Sequence, residues 1–261
     1  MKTHPVRRFF VDSLQVLVFA DRAKMGRAAG QAVAEKMRVL LEKQNEVRMI
    51  FAAAPSQNEF LTELARTTQI DWARVTAFHM DEYLGLPGEA PQGFGRFLRE
   101  RLFDKVPFKA VNYIRAAASD VQDECKRYAG LLREAAIDIV CLGIGENGHI
   151  AFNDPPVADF NDPEWVKVVE LDERCRQQQV NDGCFAAIED VPEQAITLTV
   201  PTLMSAEALF GVVPGPAKAQ AVCHALSGPI DPVCPASILR RHQNAVLFLD
   251  VDSAAKLIST N

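Results

Sequence analysis

Four groups of residues in this chain are chemically equipped for proton transfer or anion binding. Asp81 and Glu82 stand side by side directly after the apolar run Val75-Thr-Ala-Phe-His-Met80. A carboxylate at the end of a strand can take a proton from a carbon next to a carbonyl. An acidic pair there also serves as a solvated turn, and both readings stand. His149 lies in Gly143-Ile-Gly-Glu-Asn-Gly-His-Ile-Ala-Phe-Asn-Asp-Pro-Pro156. A lone histidine is often structural, but this one sits between a glycine turn and an Asn-Asp-Pro-Pro break, which positions the ring. An imidazole passes protons either way near neutral pH, and Asn147 or Asp154 can fix its tautomer. The corner Ala52-Ala-Ala-Pro-Ser-Gln-Asn58 offers Ser56 and Gln57 at a helix start, a ready place for an anion. Equally, Ser56 and Glu59 have the spacing of a capping box. Lys218, in Pro214-Gly-Pro-Ala-Lys-Ala-Gln220, is expected in the first turn of a helix, where a cation opposes the dipole. A bound anion would offset that cost; a solvated lysine is the other reading.

These groups need a scaffold that brings strand ends together. Gly143, Gly145 and Gly148 spell a dinucleotide-type G-x-G-x-x-G after the apolar run Ile137–Leu142. That fingerprint must open a helix, and Pro155 and Pro156 leave no room for one. Glu164 stands at about the distance of a ribose-binding acid, so the nicotinamide reading is kept only as an alternative. The better reading is a tight turn at the carboxyl edge of a sheet, with Gly145 and Gly148 bringing backbone N–H groups to a ligand. Strands are expected at Leu14–Phe19, Val47–Ala54, Val75–Met80, Val111–Ile114, Ile137–Leu142, Val166–Leu171, Ala195–Val200, Ala208–Val213 and Ala245–Leu249. Helices are expected at Arg22–Lys43, Ser56–Thr67, Phe94–Leu102, Val121–Ala135 and Pro216–Leu226. Tyr83–Gly93 and Pro155–Pro163 read as loops. Asp172–Ala187 shows no clean period and three consecutive glutamines, and is read as a mobile segment. The alternation gives an α/β class: a mostly parallel open sheet with helices on both faces, residues 1–261 forming a single domain.

Composition narrows the function. The chain has 261 residues, 48% of them hydrophobic and 24% charged, and a net charge of −6. That balance is globular and argues against nucleic acid as the main partner. No stretch is long and apolar enough to span a membrane, and no apolar segment follows Arg7-Arg8 as in a secretion signal. The six cysteines include no C-x-x-C pair, so reduced thiols in a cytoplasmic protein are expected. No His/Cys/Asp/Glu set has clear ligand spacing. Neither a metal nor another cofactor is expected.

A carboxylate base, a histidine and two anion contacts suggest a phosphorylated sugar. Phe78-His-Met-Asp-Glu-Tyr-Leu-Gly-Leu86 and Gly143–Pro155 resemble the two signature stretches of the glucosamine-6-phosphate deaminase/isomerase family, and Pro214–Gln220 resembles its late lysine motif. The likeness runs in order from about Leu14 to Leu249. It implies a cofactor-free conversion of glucosamine 6-phosphate and water to fructose 6-phosphate and ammonia. It implies Asp81 as the enolisation base, His149 as the ring opener supported by Asn147 and Asp154, and Lys218 on the phosphate. Ser56, Gln57, Glu82, Gly145 and Gly148 complete the expected substrate-binding set. The family usually has Glu where this chain has Asp154, and a glycine-rich phosphate turn where it has Ala54-Pro-Ser-Gln-Asn58. Arg174 and Arg176 lie near the place of the family's phosphate arginine without matching it. Three rivals carry distinguishing marks. A 6-phosphogluconolactonase-like hydrolase has Ala-Ser-Leu-Phe-Pro where this chain has Ala151-Phe-Asn-Asp-Pro155. A sugar-phosphate sensor of the same fold would add a DNA-binding segment, and thirteen residues before Leu14 are too few for one. An isomerase for another hexosamine has no sequence mark. A homo-oligomer is compatible with all of these.

Overall fold

The computed structural model describes residues 3–87 and 90–257. Strands β1 (Arg7–Val11) and β2 (Leu14–Phe19) form an antiparallel hairpin with Phe9 opposite Val16. Asp12 takes the left-handed turn position at φ 51°, which aspartate tolerates. Helix α1 (Arg22–Leu41) follows, its first turn capped by Asp21, whose carboxylate accepts from Lys24 N at 2.7 Å. Then come β3 (Val47–Phe51), a 3-10 turn at Pro55–Gln57, α2 (Asn58–Ala65), β4 (Val75–His79) and β5 (Asp81–Tyr83). Helix α3 (Phe94–Leu98) runs on into a wider π-turn, Arg99–Phe103, before β6 (Ala110–Asn112) and α4 (Val121–Arg133). The second half holds β7 (Ile139–Leu142), β8 (Val166–Glu170), α5 (Glu173–Asn181), β9 (Gln194–Leu198) and α6 (Val200–Met204). It ends with β10 (Ala208–Val213), a 3-10 turn at Pro216–Lys218, α7 (Ala219–Ser227) and β11 (Ala245–Asp250).

Eight strands form one sheet in the order β1-β2-β11-β10-β7-β3-β4-β6, and every pairing but β1–β2 is parallel. The central strands β3, β4 and β10 are buried along their whole length, as strands covered on both faces must be. From β3 the chain winds outward through β4 and β6. It then returns to β7, on the other side of β3, and winds the opposite way through β10 and β11. The reversal falls between β3 and β7, and open α/β sheets bind ligands beyond the carboxyl ends of the strands at such a point. One apolar layer packs α1, α2 and α3 on the sheet through Met25, Val33, Met37, Phe60 and Leu98. The opposite layer, through Tyr128, Leu132, Leu203, Val222 and Leu226, packs α4, α6 and α7.

A second, three-stranded antiparallel sheet, β5-β9-β8, was not expected. It arises because the chain passes from one sheet to the other across Met80 alone. Met80 N donates to Phe51 O in the large sheet (3.2 Å), while Met80 O accepts from Leu198 N in the small one (2.8 Å). Tyr83 therefore belongs to β5 and not to a loop; Gly88 and Glu89 of the expected loop lie outside the described residues. Asp172–Ala187 is not an irregular segment through its first half. It holds α5, started by Asp172, whose side chain accepts from Arg174 N at 3.0 Å. Strand β1 was also unexpected, its half-exposed alternation being that of a sheet edge. The capping box at Ser56 does not form: Ser56 lies inside the 3-10 turn, and Glu59 pairs with Arg22 at 2.8 Å.

Candidate active site

The ends of β3, β4, β7 and β10 surround a cleft at the winding reversal. Asp81, His149 and Lys218 all line it, together with Ser56, Phe94, Phe152, Gln178 and Gln179.

Asp81 reaches the cleft because the one-residue crossing at Met80 turns the chain at the sheet edge. Its side chain is buried and its Oδ1 has no hydrogen-bond partner among the described residues. Burial, and after it the neighbouring Glu82 charge, push the carboxyl well above the usual carboxylate range. A desolvated carboxylate without fixed donors is a stronger base than one in water. Beneath it His79 is fully buried, and its Nε2 accepts from Ile114 N at 2.8 Å. Burial lowers the His79 pKa to about 3, outweighing contributions from Asp81 and Glu124, so the ring adds no charge under the base.

The glycine turn delivers His149. Gly145 N donates to His149 O at 2.9 Å, and a side chain on Gly145 would bring its first carbon within 2.2 Å of the His149 ring. Gly148 has φ 91° and faces Cys234. Its N–H donates to Gly145 O at 3.0 Å. Both N–H groups close the turn, so neither is free for the ligand contact expected of it. Behind the ring, Asn153 is wholly buried and donates to Ile150 O (2.9 Å) and Leu198 O (2.8 Å). Those bonds pin a turn in which Ala151 holds φ 49°, and the pinned turn presents Asp154. Asp154 Oδ1 lies 2.8 Å from His149 Nδ1. It also accepts from Asn147 Nδ2 at 2.9 Å, while Asp154 Oδ2 accepts from Asp172 N at 3.2 Å. Asn147 Oδ1 in turn accepts from His149 N at 3.1 Å. Burial works to raise the Asp154 pKa, but His149, Asn147 and the Asp172 amide together hold it below the usual range. An aspartate is therefore long enough to contact the imidazole here.

Lys218 ends the 3-10 turn after β10, and its Nζ is buried with no hydrogen-bond partner among the described residues. Burial lowers its pKa, against the pull of Asp182, Glu146 and Cys175. An unpaired buried ammonium is costly, and an anion entering the cleft would relieve that cost. Ser56 lines the same wall, whereas Gln57 points away from it and donates to Val212 O at 3.0 Å. Glu82 also turns away. Its carboxylate accepts from Tyr83 N, Phe94 N and Gly95 N at 3.0, 3.0 and 2.8 Å, closing the start of α3. Gln57 and Glu82 are thus framework residues in this structure, not cleft contacts. Arg176 donates to Ile188 O and Val191 O (2.8 and 3.0 Å), Arg174 is exposed, and neither lines the cleft.

Sequence reasoning missed Gln178, Gln179 and Cys175, the buried face of α5. Gln178 Oε1 accepts from Glu146 N at 2.8 Å and ties that helix to the glycine turn. The available signal was Asp172 as a cap, with residues 175, 178 and 179 at helical spacing.

A buried carboxylate, a carboxylate-backed histidine and a buried lysine at the switch point of an open sheet are the equipment of an enzyme that works by acid–base chemistry. The family model described as glucosamine-6-phosphate isomerases/6-phosphogluconolactonase matches residues 20–248, and the chain belongs to that family. A glucosamine-6-phosphate deaminase of Bacillus thuringiensis (strain Al Hakam) is 42% identical over 188 residues, 72% of this chain and 70% of that protein. A solved monomeric glucosamine-6-phosphate deaminase superimposes with a TM-score of 0.83 at 27% identity, covering 92% of this chain and 98% of that one. A 6-phosphogluconolactonase from Thermotoga maritima shares the fold at TM-score 0.74 and 21% identity, covering 91% of this chain and 99% of that one. No helix among the described residues is long and apolar enough to cross a membrane.

Proposed function

We propose that this protein converts glucosamine 6-phosphate and water to fructose 6-phosphate and ammonia. The carrying observation is that Asp81, His149 and Lys218 line one cleft, with Asp154 and Asn147 behind the histidine. In this reading Lys218 and Ser56 receive the phosphate. His149 accepts the proton of the C1 hydroxyl and returns one to the ring oxygen, opening the pyranose to a C1 aldehyde. Asp81 removes the C2 proton, now acidic beside the carbonyl, and delivers it to C1. The resulting C2 imine adds water, whose oxygen becomes the C2 keto oxygen as nitrogen leaves as ammonia. None of these steps needs a redox change. All six cysteines are free thiols, which supports a cytoplasmic setting.

The test is ammonia release from glucosamine, galactosamine and mannosamine 6-phosphates side by side, with hydrolysis of 6-phosphogluconolactone as a fourth arm. Release from the gluco isomer alone is expected, and lactone hydrolysis without ammonia release would overturn the reading. Asp81→Asn is expected to lower turnover at least ~10²-fold, as loss of a positioned base does, while the phosphosugar still binds. Near-normal turnover would move the base elsewhere.

A further inference from the structure

His149, Asp154 and Cys175 bring one imidazole nitrogen, one carboxylate oxygen and one sulfur within 4.8 Å of one another, all three residues being buried. Cys175 comes from α5 and the other two from the segment after the glycine turn, so the cluster joins elements distant in sequence. His149 Nδ1 lies 2.8 Å from Asp154 Oδ1, so two of the three donors already face each other. His149 also lines the cleft, which leaves one side of the cluster open to a small ligand.

We propose that these three side chains form an inhibitory site for a borderline-soft divalent cation such as zinc. The donor set selects the cation: magnesium and calcium need shells of oxygen, whereas zinc takes nitrogen, sulfur and carboxylate together. Bond lengths of about 2.0–2.3 Å require the three donors to draw in around the ion, and the fourth, tetrahedral position falls to water on the cleft side. On binding, the Cys175 S–H bond breaks and its proton goes to solvent. The sulfur–metal bond forms, and His149 coordinates through Nδ1, the proton it shared with Asp154 leaving Nδ1 as the neutral ring carries its one proton on Nε2. No electron changes hands. The ring is then fixed as a ligand, with Asp154 diverted to the ion, and it cannot shuttle protons. A cation at this place blocks the enzyme rather than serving it.

The test uses the intact protein without sugar, so its outcome is independent of the proposed reaction. Cobalt(II) is titrated in and followed by the thiolate-to-cobalt charge-transfer absorption in the near ultraviolet, then chased with zinc. One saturating equivalent with that band, lost on adding zinc, is expected. In Cys175→Ser the band should vanish, and in His149→Gln the affinity should fall at least ~10-fold. No saturable binding would overturn the proposal. So would a band persisting in Cys175→Ser, which would place the metal on Cys184, Cys223 or Cys234. If Cys175→Ser does not fold, His149→Gln decides alone, and unchanged cobalt affinity in that variant refutes the site.

Discussion

In the proposed reaction His149 and Asp81 divide two proton transfers between them, and the division is separable by experiment. Ring opening involves only the C1 hydroxyl and ring oxygen, whereas enolisation involves only C1 and C2. His149→Gln is therefore expected to slow turnover of the cyclic substrate strongly. It should barely change solvent proton exchange measured on the open-chain keto sugar. Equal losses in both rates would assign His149 to enolisation or binding. Asp81 carries a second expectation, in stability. An acid whose folded pKa exceeds its unfolded value stabilises the fold at low pH, and that stability is lost as pH rises from about 4 toward the raised value. Asp81→Asn does not ionise. Its melting temperature should match the parent near pH 4 and exceed it by at least ~2 °C at pH 8, where one kcal/mol corresponds to about 2–4 °C. A gap that stays constant with pH would show that Asp81 is not protonated more tightly in the fold. The placement of Asp81, His149 and Lys218 at one cleft was legible in the sequence because each stands in the segment that leaves the carboxyl end of a buried strand, β4, β7 and β10. Glu82 and Gln57 misled for a physical reason: a polar side chain at a strand end can face the framework as readily as the cleft, and backbone N–H groups claimed one while a backbone carbonyl claimed the other.

At the scale of the elements, the glycine turn and α5 do the positioning. Gly145 makes room for the imidazole and Gly148 makes the turn, so equal substitutions should fail differently. Gly145→Ala places a carbon 2.2 Å from a ring that can swing aside. Turnover should fall by about 10²-fold, as misplacement by an ångström does, with little change in melting temperature. Gly148→Ala meets both φ 91° and the Cys234 sulfur at 2.9 Å. It should cost at least ~1 kcal/mol of stability, read as a lower midpoint in urea. Reversal of the two phenotypes would refute these assignments. Helix α5 was illegible for a related reason. Hydrophobic periodicity finds helices that bury oil, whereas this one buries Cys175, Gln178 and Gln179 against the site. The three-residue β5 was hidden because one residue separates it from β4, too short a break for any turn signal.

Over the whole molecule, the glycine motif lacks the helix that a dinucleotide fingerprint must open. No helix follows Gly148 until α5 at Glu173, so no helix N-terminus faces a pyrophosphate there. Activity is expected to survive exhaustive dialysis against EDTA, and micromolar NAD should not bind. Loss of activity with EDTA, restored by a divalent ion, would overturn the metal-free mechanism. The sheet class and most strand positions were legible from apolar runs flanked by glycine and proline. The partition into two sheets was not, because it depends on hydrogen bonds between segments more than a hundred residues apart.

The passage through Met80 makes the Asp81 carboxylate a gauge of how the two sheets are docked. Met80 is bonded through its nitrogen to one sheet and through its oxygen to the other, so Asp81 cannot shift unless that seam opens. The Leu198 amide, donor to Met80 O, is the natural reporter of the seam. If the docking is as firm as the bonding suggests, that amide should exchange with deuterium as slowly as those of the central strands. Loop substitutions that quicken its exchange should lower turnover in step, even where they touch nothing in the cleft.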